Sequence, residues 1–299
     1  MPYADSKLDL PMQENRLRTY LEFQLSQLLI SGNVLFAQLL SYSPSMINWG
    51  RTLFAFILLG GFLYLRKRPF FFPSKKDNAI SFGLGLVLAA HWVTFFASAQ
   101  TGNIAIAVLT LFTHPVWTVL LEPLFFPSRV RLLDLGMALL VFFGMWILVP
   151  SFDLNDSYLI AVILGLVSSL CMAFRNLLTK KYLSDHGSTQ VMFHQTLVTC
   201  LSLSPILFFE STFSTIRDWS LILLLGVFLT AIGHTFYIKA VFRMKVKTAG
   251  LLSTVQPVYS AILAWLILGE VPRQQEFLGG GFILLAACIE TLRYQKKTE

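Results

Sequence analysis

The sequence predicts an all-α polytopic membrane protein: ten transmembrane helices in two inverted five-helix repeats, with both termini cytoplasmic. Three observations carry this. Of the 299 residues, 55% are hydrophobic and 13% charged, with a mean hydropathy of +0.66; a soluble domain carries about 25% charged residues. Apolar runs of spanning length recur with short gaps between them. Two distant stretches also share one layout. In Phe95–Phe125 (FFASAQTGNIAIAVLTLFTHPVWTVLLEPLF), Pro115-Val116-Trp117 stands where Pro257-Val258-Tyr259 stands in His234–Glu270 (HTFYIKAVFRMKVKTAGLLSTVQPVYSAILAWLILGE). His114 there answers Gln256, and Ala107 answers Ala249.

Taken in order, the chain opens with a polar segment, 1–19, that lacks the apolar core and cleavage site of a signal peptide. At roughly 20 apolar residues per crossing, ten spans follow. They lie near 20–42, 44–65, 79–100, 103–122, 132–149, 158–179, 188–209, 218–238, 248–268 and 276–292. The first five form one repeat, 20–149, the second five another, 158–292, and 293–299 is a cytoplasmic tail.

The charges set the orientation. With the N-terminus inside, cytoplasmic gaps hold Lys7, Arg16, Arg18, Arg66, Lys67, Arg68, Lys75, Lys76, Arg129 and Arg131 in the first half. Arg175, Lys180, Lys181, Lys239, Arg243, Lys245, Lys247, Arg293, Lys296 and Lys297 are assigned there in the second. Only Arg217 and Arg273 fall outside, so about 20 basic residues face about 2, the positive-inside pattern. The formal net charge of +7 therefore reflects topology, not a nucleic-acid partner. Five spans per repeat is odd, so the second copy enters the membrane upside down. PSMINWGRT (Pro44–Thr52) aligns with STQVMFHQT (Ser188–Thr196), matching Arg51 to Gln195 and Thr52 to Thr196. Inverted repeats of this kind build secondary transporters, in which two related halves expose one midplane site alternately.

Polar side chains at membrane depth face the bundle interior or an aqueous cavity. The third span offers His91, Trp92 and Phe95, the fourth His114 and Trp117, the eighth His234 and Tyr237, and the ninth Gln256 and Tyr259. Asn33 lies near the middle of the first span. Each aromatic has a polar neighbour within about one turn, which suits a small-molecule cavity. The histidines read either as packed hydrogen-bonded residues or as substrate contacts and proton carriers. Arg51 either snorkels as a structural anchor or meets an anion. Pro115 and Pro257, at matched depth, are gating kinks or static ones.

Cys171, Cys200 and Cys288 have no metal-ligand spacing, so no metal and no cofactor is expected. No carboxylate lies at the middle of a span, which disfavours a proton antiporter built on a central acid. No Walker motif, GxSxG or HExxH is present, so the chain is read as neither an ATP-driven pump nor an enzyme.

The ninth span, with small residues, Pro257-Val258, an aromatic and a terminal Leu268-Gly269-Glu270, and then the glycine-rich LGGGFILLAAC (Leu278–Cys288), resembles the EamA-type permeases of the drug/metabolite transporter superfamily. Arg51 early in the second span fits as well. The first half departs, with Pro127-Ser128 where the second has Gly269-Glu270. The resemblance implies a ten-helix plasma (inner) membrane carrier that exports or exchanges small metabolites, often amino acids. Alternatives are a broad-specificity drug exporter, a sugar-phosphate or nucleotide-sugar transporter and, more remotely, a membrane-embedded enzyme, a channel or a scaffold. The expected partners are a small-molecule substrate and the bilayer, with the chain a monomer or homodimer.

Overall fold

In a computed structural model the described residues are 9–127, 130, 132–148, 156–243 and 253–295. Lys7, Ser128, Arg129, Arg131, Lys245, Lys247, Ala249, Lys296 and Lys297 lie outside them, as do the start of the ninth expected span and most of the gap between the repeats. The described residues are helical and contain no strand. The helices are α1 (Asp9–Ser31), α2 (Phe36–Leu39), α3 (Pro44–Leu65), α4 (Lys75–Thr101), α5 (Ile104–Leu111), α6 (His114–Phe125) and α7 (Leu132–Leu148). They continue with α8 (Ser157–Leu183), α9 (Ser188–Leu203), α10 (Ile216–Leu224), α11 (Gly233–Arg243), α12 (Gln256–Leu268) and α13 (Gln274–Gln295).

Short polar residues start these helices by capping the free N–H groups of the first turn. Ser43 Oγ accepts from Met46 N, with Pro44 in the first turn, and Ser74 Oγ accepts from Asp77 N. Asn103 Oδ1 accepts from Ile106 N, Asp156 Oδ1 from Tyr158 N, and Thr215 Oγ1 from Asp218 N. α12 ends on Gly269 at φ +70, where a side chain would be strained; the turn sends Glu270 N back to Ala264 O. That turn also explains the Gly-Glu pair: Glu270 Oε1 accepts from Ile104 N and so caps α5.

Six continuous stretches among the described residues are long and apolar enough to cross a membrane: Pro44–Leu65, Lys75–Thr101, Ile104–Phe125, Ser157–Leu183, Ser188–Phe208 and Ile216–Arg243. Leu135–Ile147 and Gln256–Leu268 are shorter apolar helices. The surface is apolar, with Leu139, Phe142, Trp146, Leu201, Trp265 and Phe277 exposed. Asn48, Arg51, Thr52, Ser168, Ser169 and Gln195 are buried. A water-soluble protein has the opposite arrangement; polar groups inside and hydrocarbon outside suit a lipid solvent.

The helices pair in a repeating way. α1 lies along α11 and α4 along α8; α3 faces α9; α7 faces α13; α5 and α6 contact α8 while α12 contacts α1. Thr52 Oγ1 bonds the carbonyls of Asn48 and Trp49, and Thr196 Oγ1 bonds those of Met192 and Phe193, the same two positions back on the matching helix.

Candidate functional site: a polar cavity among interrupted helices

Four helical runs are interrupted near the bundle centre. After α1 the chain passes through a 3-10 turn, Asn33–Leu35, before α2. α5 stops at Leu111, and α6 restarts at His114 beyond a turn at Phe112-Thr113. Between α10 and α11 the run Leu225–Ile232 is π-helical. A 3-10 turn, Ser253–Val255, precedes α12. The sequence suggested a kink in mid-helix at each proline. Instead Pro115 and Pro257 stand in the first turn of a restarted helix, where the missing N–H costs no hydrogen bond. Hydroxyls from neighbouring helices serve these breaks: Ser31 Oγ reaches Gln256 O (3.4 Å), Ser260 Oγ donates to Ser31 O (3.0 Å), and Thr113 Oγ1 meets Ser169 Oγ (2.7 Å).

Three of the interruptions deliver polar residues to one cavity. Asn33, His234 and Gln256 line it with His91, Trp92 and Phe95 from α4, Tyr237 from α11, Arg51 from α3 and Arg175 from α8. The space is about 30 Å³, well short of the several hundred Å³ of a small-molecule pocket. An amino-acid-sized solute therefore enters only when the walls separate.

Arg51 is fully buried beside the π segment. Its Nε donates to Thr230 Oγ1 (2.9 Å), its Nη1 to Asn48 Oδ1 (3.3 Å), and its Cζ lies 4.1 Å from the Trp92 ring centroid. Nη2 has no partner. The close approach of the two segments requires Gly226, since a Cβ there would stand 2.7 Å from Arg51 O. Arg175 is also buried, and both its Nε and its Nη2 donate to Gln195 Oε1 (2.9 and 2.5 Å). This corrects the charge assignment: Arg175 belongs to the cavity wall, not to a cytoplasmic gap.

Hydrogen bonding fixes the tautomer of His91 in its neutral form. Nδ1 lies 3.0 Å from Ser168 O and 2.8 Å from Ser168 Oγ, while that hydroxyl donates to His91 O. A carbonyl only accepts, so Nδ1 carries the proton and Nε2 keeps a lone pair. His234 Nε2 is 3.4 Å from Asn33 Nδ2 and its ring stands edge-on to Trp92 at 5.1 Å; Asn33 Oδ1 is buried without a partner. Tyr237 OH accepts from Asn176 Nδ2 (2.9 Å), which leaves its own O–H to donate. The wall thus offers guanidinium N–H groups, a phenol donor and an imidazole lone pair. It contains no carboxylate.

His114, Trp117 and Tyr259 do not line this space. His114 is buried against Phe112, 5.5 Å between centroids, with Nε2 unpartnered. Trp117 faces an apolar hollow of about 440 Å³ between α6, α7 and α8. Tyr259 is half-buried on α12.

An apolar shell around interrupted helices and an internal polar cavity defines a membrane-embedded protein built to handle a small solute. The chain belongs to the EamA-like transporter family, whose model matches twice, over residues 20–149 and 159–291. It is thereby a transporter of the drug/metabolite transporter superfamily, related to small-molecule exporters. It is similar to the pseudopaline exporter CntI of Pseudomonas aeruginosa, 24% identical over 213 residues that span 71% of this chain and 74% of that one. It is also similar to the threonine/homoserine exporter RhtA of Escherichia coli, 27% identical over 219 residues, 72% of each chain. A solved crystal structure shares the fold, with a TM-score of 0.71 at 17% identity over 94% of this chain and 99% of that one.

Proposed function

We propose that the chain is a secondary transporter of a small polar metabolite, an exporter or exchanger that works by alternating access at the cavity around Arg51. Amino acids and related compounds are the leading substrates. The observation that carries this reading is a pair of buried, unpartnered polar atoms, Arg51 Nη2 and Asn33 Oδ1, on two residues that line one small cavity. Buried orphans cost about 1–3 kcal/mol each, a cost that a ligand relieves. The names of the relatives, which specify a pseudopaline exporter and a threonine/homoserine exporter, support solutes of that general kind.

The ten-span, inverted-repeat architecture of 20–149 and 158–292 belongs to this reading, with both termini cytoplasmic in the plasma membrane. Support comes from the pairing pattern. The first span meets the eighth as the third meets the sixth, the second meets the seventh, and the fifth meets the tenth; each contact maps onto another, or onto itself, when the halves are exchanged. Pro115 and Pro257 then mark equivalent flex points.

The test is counterflow. Liposomes carrying the purified protein and preloaded with one unlabelled amino acid should accumulate the labelled form faster than empty liposomes. Uptake that ignores the preload would remove the carrier reading. Replacing Arg51 with Gln should abolish exchange while the protein still inserts in the membrane.

A further inference from the structure

We infer that the substrate of this cavity is an anion with two acidic groups, one for each of the two buried guanidiniums, and not a neutral zwitterion. This rests on the transporter reading above and adds the substrate class. Both Arg51 and Arg175 line the space, and both are buried. An arginine remains charged under all ordinary conditions, and a buried charge without a counter-charge is costly. Counter-charge is what the wall lacks. Arg175 is held by a neutral amide, Gln195, and Arg51 by a hydroxyl, an amide and an aromatic face.

Carboxylates toward the two ends of the bundle are engaged away from this space. Glu22 pairs with Lys239, Asp218 accepts from Tyr42 OH, and Glu270 and Glu276 hold the start of α5. The empty site therefore carries two positive charges. A zwitterion leaves that number unchanged, whereas a dianion cancels it. Arg51 Nη2 is left free to donate to an oxyanion, and Arg175 would turn from the single oxygen of Gln195 to a second one. A lone pair at His91 Nε2 adds room for an ammonium hydrogen bond without adding charge. The same dianionic chemistry occurs in dicarboxylates and in phosphate monoesters, and the experiment separates them.

The test uses the full-length protein in liposomes. Counterflow of labelled aspartate is competed by succinate, aspartate, a glycerol phosphate and threonine, with charge movement followed by a potential-sensitive dye. The expected result is that a dianionic competitor is preferred over threonine by about tenfold or more, the scale of one charge-assisted hydrogen bond. Succinate ahead of the glycerol phosphate identifies a dicarboxylate site, and the reverse order a phosphate site. In Arg175→Gln the preference should collapse to within about threefold, while Arg175→Lys, which keeps the charge, retains part of it. Threonine competing as well as succinate would overturn the inference and leave the transporter reading intact. Should aspartate itself give no counterflow, labelled threonine, succinate and glycerol phosphate are tried as the driven species; counterflow of threonine alone overturns the inference. Counterflow with none of the four would overturn this inference and the amino-acid reading above together.

Discussion

The two ends of the bundle close the same cavity with different chemistry. At one end a single carboxylate sits among cations: Glu22 on α1 meets Lys239 on α11 (2.7 Å), Arg18 (3.1 Å) and Arg243 (3.7 Å). At the other end hydroxyl and amide groups interlock around one carboxylate, with no cation paired to it in the contacts that follow. Tyr42 OH donates to Asp218 Oδ2 (3.1 Å) and accepts from Ser214 N (2.9 Å), and its ring stands edge-on to Phe213. Gln100 Nε2 spans the carbonyls of Ala37 and Tyr42, and Gln38 Nε2 reaches Ala99 O. Asn33 lies between these two seals along the chain, eleven residues after Glu22 and nine before Tyr42. One seal is electrostatic, and salt weakens it; the other depends on directional hydrogen bonds that salt leaves alone.

The largest effect is expected from Glu22→Gln, which leaves Lys239 and Arg243 without their counter-charge. In a background where Cys171, Cys200 and Cys288 are replaced by Ala, a probe cysteine at Asn33→Cys should react with an impermeant thiol reagent about tenfold faster from that end, the scale of losing one ionic hydrogen bond. High salt should give the unsubstituted seal part of the same increase. Unchanged labelling in the Glu22 variant would mean that this cluster does not gate access.

Tyr42→Phe keeps the ring and removes the hydroxyl. The expected gain in labelling from the opposite end is about fivefold, the scale of about 1 kcal/mol for one hydrogen bond. Salt should not alter it. A salt-dependent gain would erase the contrast between the ends.

A smaller effect concerns overall stability. Gly269→Ala places a side chain at φ +70 in the turn that carries Glu270 to α5. A loss of about 1 kcal/mol is expected, read as a thermal midpoint lowered by a few degrees in detergent. An unchanged midpoint would mean that this turn relaxes at no cost.

The smallest is a pH effect at the Tyr42 end. Burial pushes the Glu270 carboxyl above its ordinary value, with a lesser contribution from Glu276. A raised carboxyl favours the folded state fully below the unfolded pKa, and that contribution fades as pH rises through the folded one. Thermal midpoints should therefore fall slightly from acid toward neutral pH at this residue's expense. Glu270→Gln should flatten that slope, and an unaltered slope would assign it elsewhere.

Much of the frame could be read from the residues because membrane folding is governed by length, apolarity and charge placement. The matched prolines, the paired Thr52 and Thr196, and the polar residues of the third and eighth spans all followed from spacing. Arg175 did not. Charge placement groups it with Lys180 and Lys181, although the sixth span, 158–179, encloses it. Unbroken helical spacing puts His114, Trp117 and Tyr259 in the cavity. The chain instead stops at Leu111 and restarts at His114, which resets which face of α6 looks inward. Helical periodicity does not carry phase across such a break.

The π-helical run Leu225–Ile232 gives that point a mechanical side. Its turns are one residue wider than those of an α-helix, as the bond from Thr230 Oγ1 to Leu225 O, five residues back, makes visible. Moving that surplus residue along the chain would turn every side chain it passes by about 100° about the helix axis. His234 and Tyr237 would swing off the cavity wall together, and Thr230 would leave Arg51. Such a shift would be a screw motion, and it would have to break the bond that Arg51 makes to Thr230.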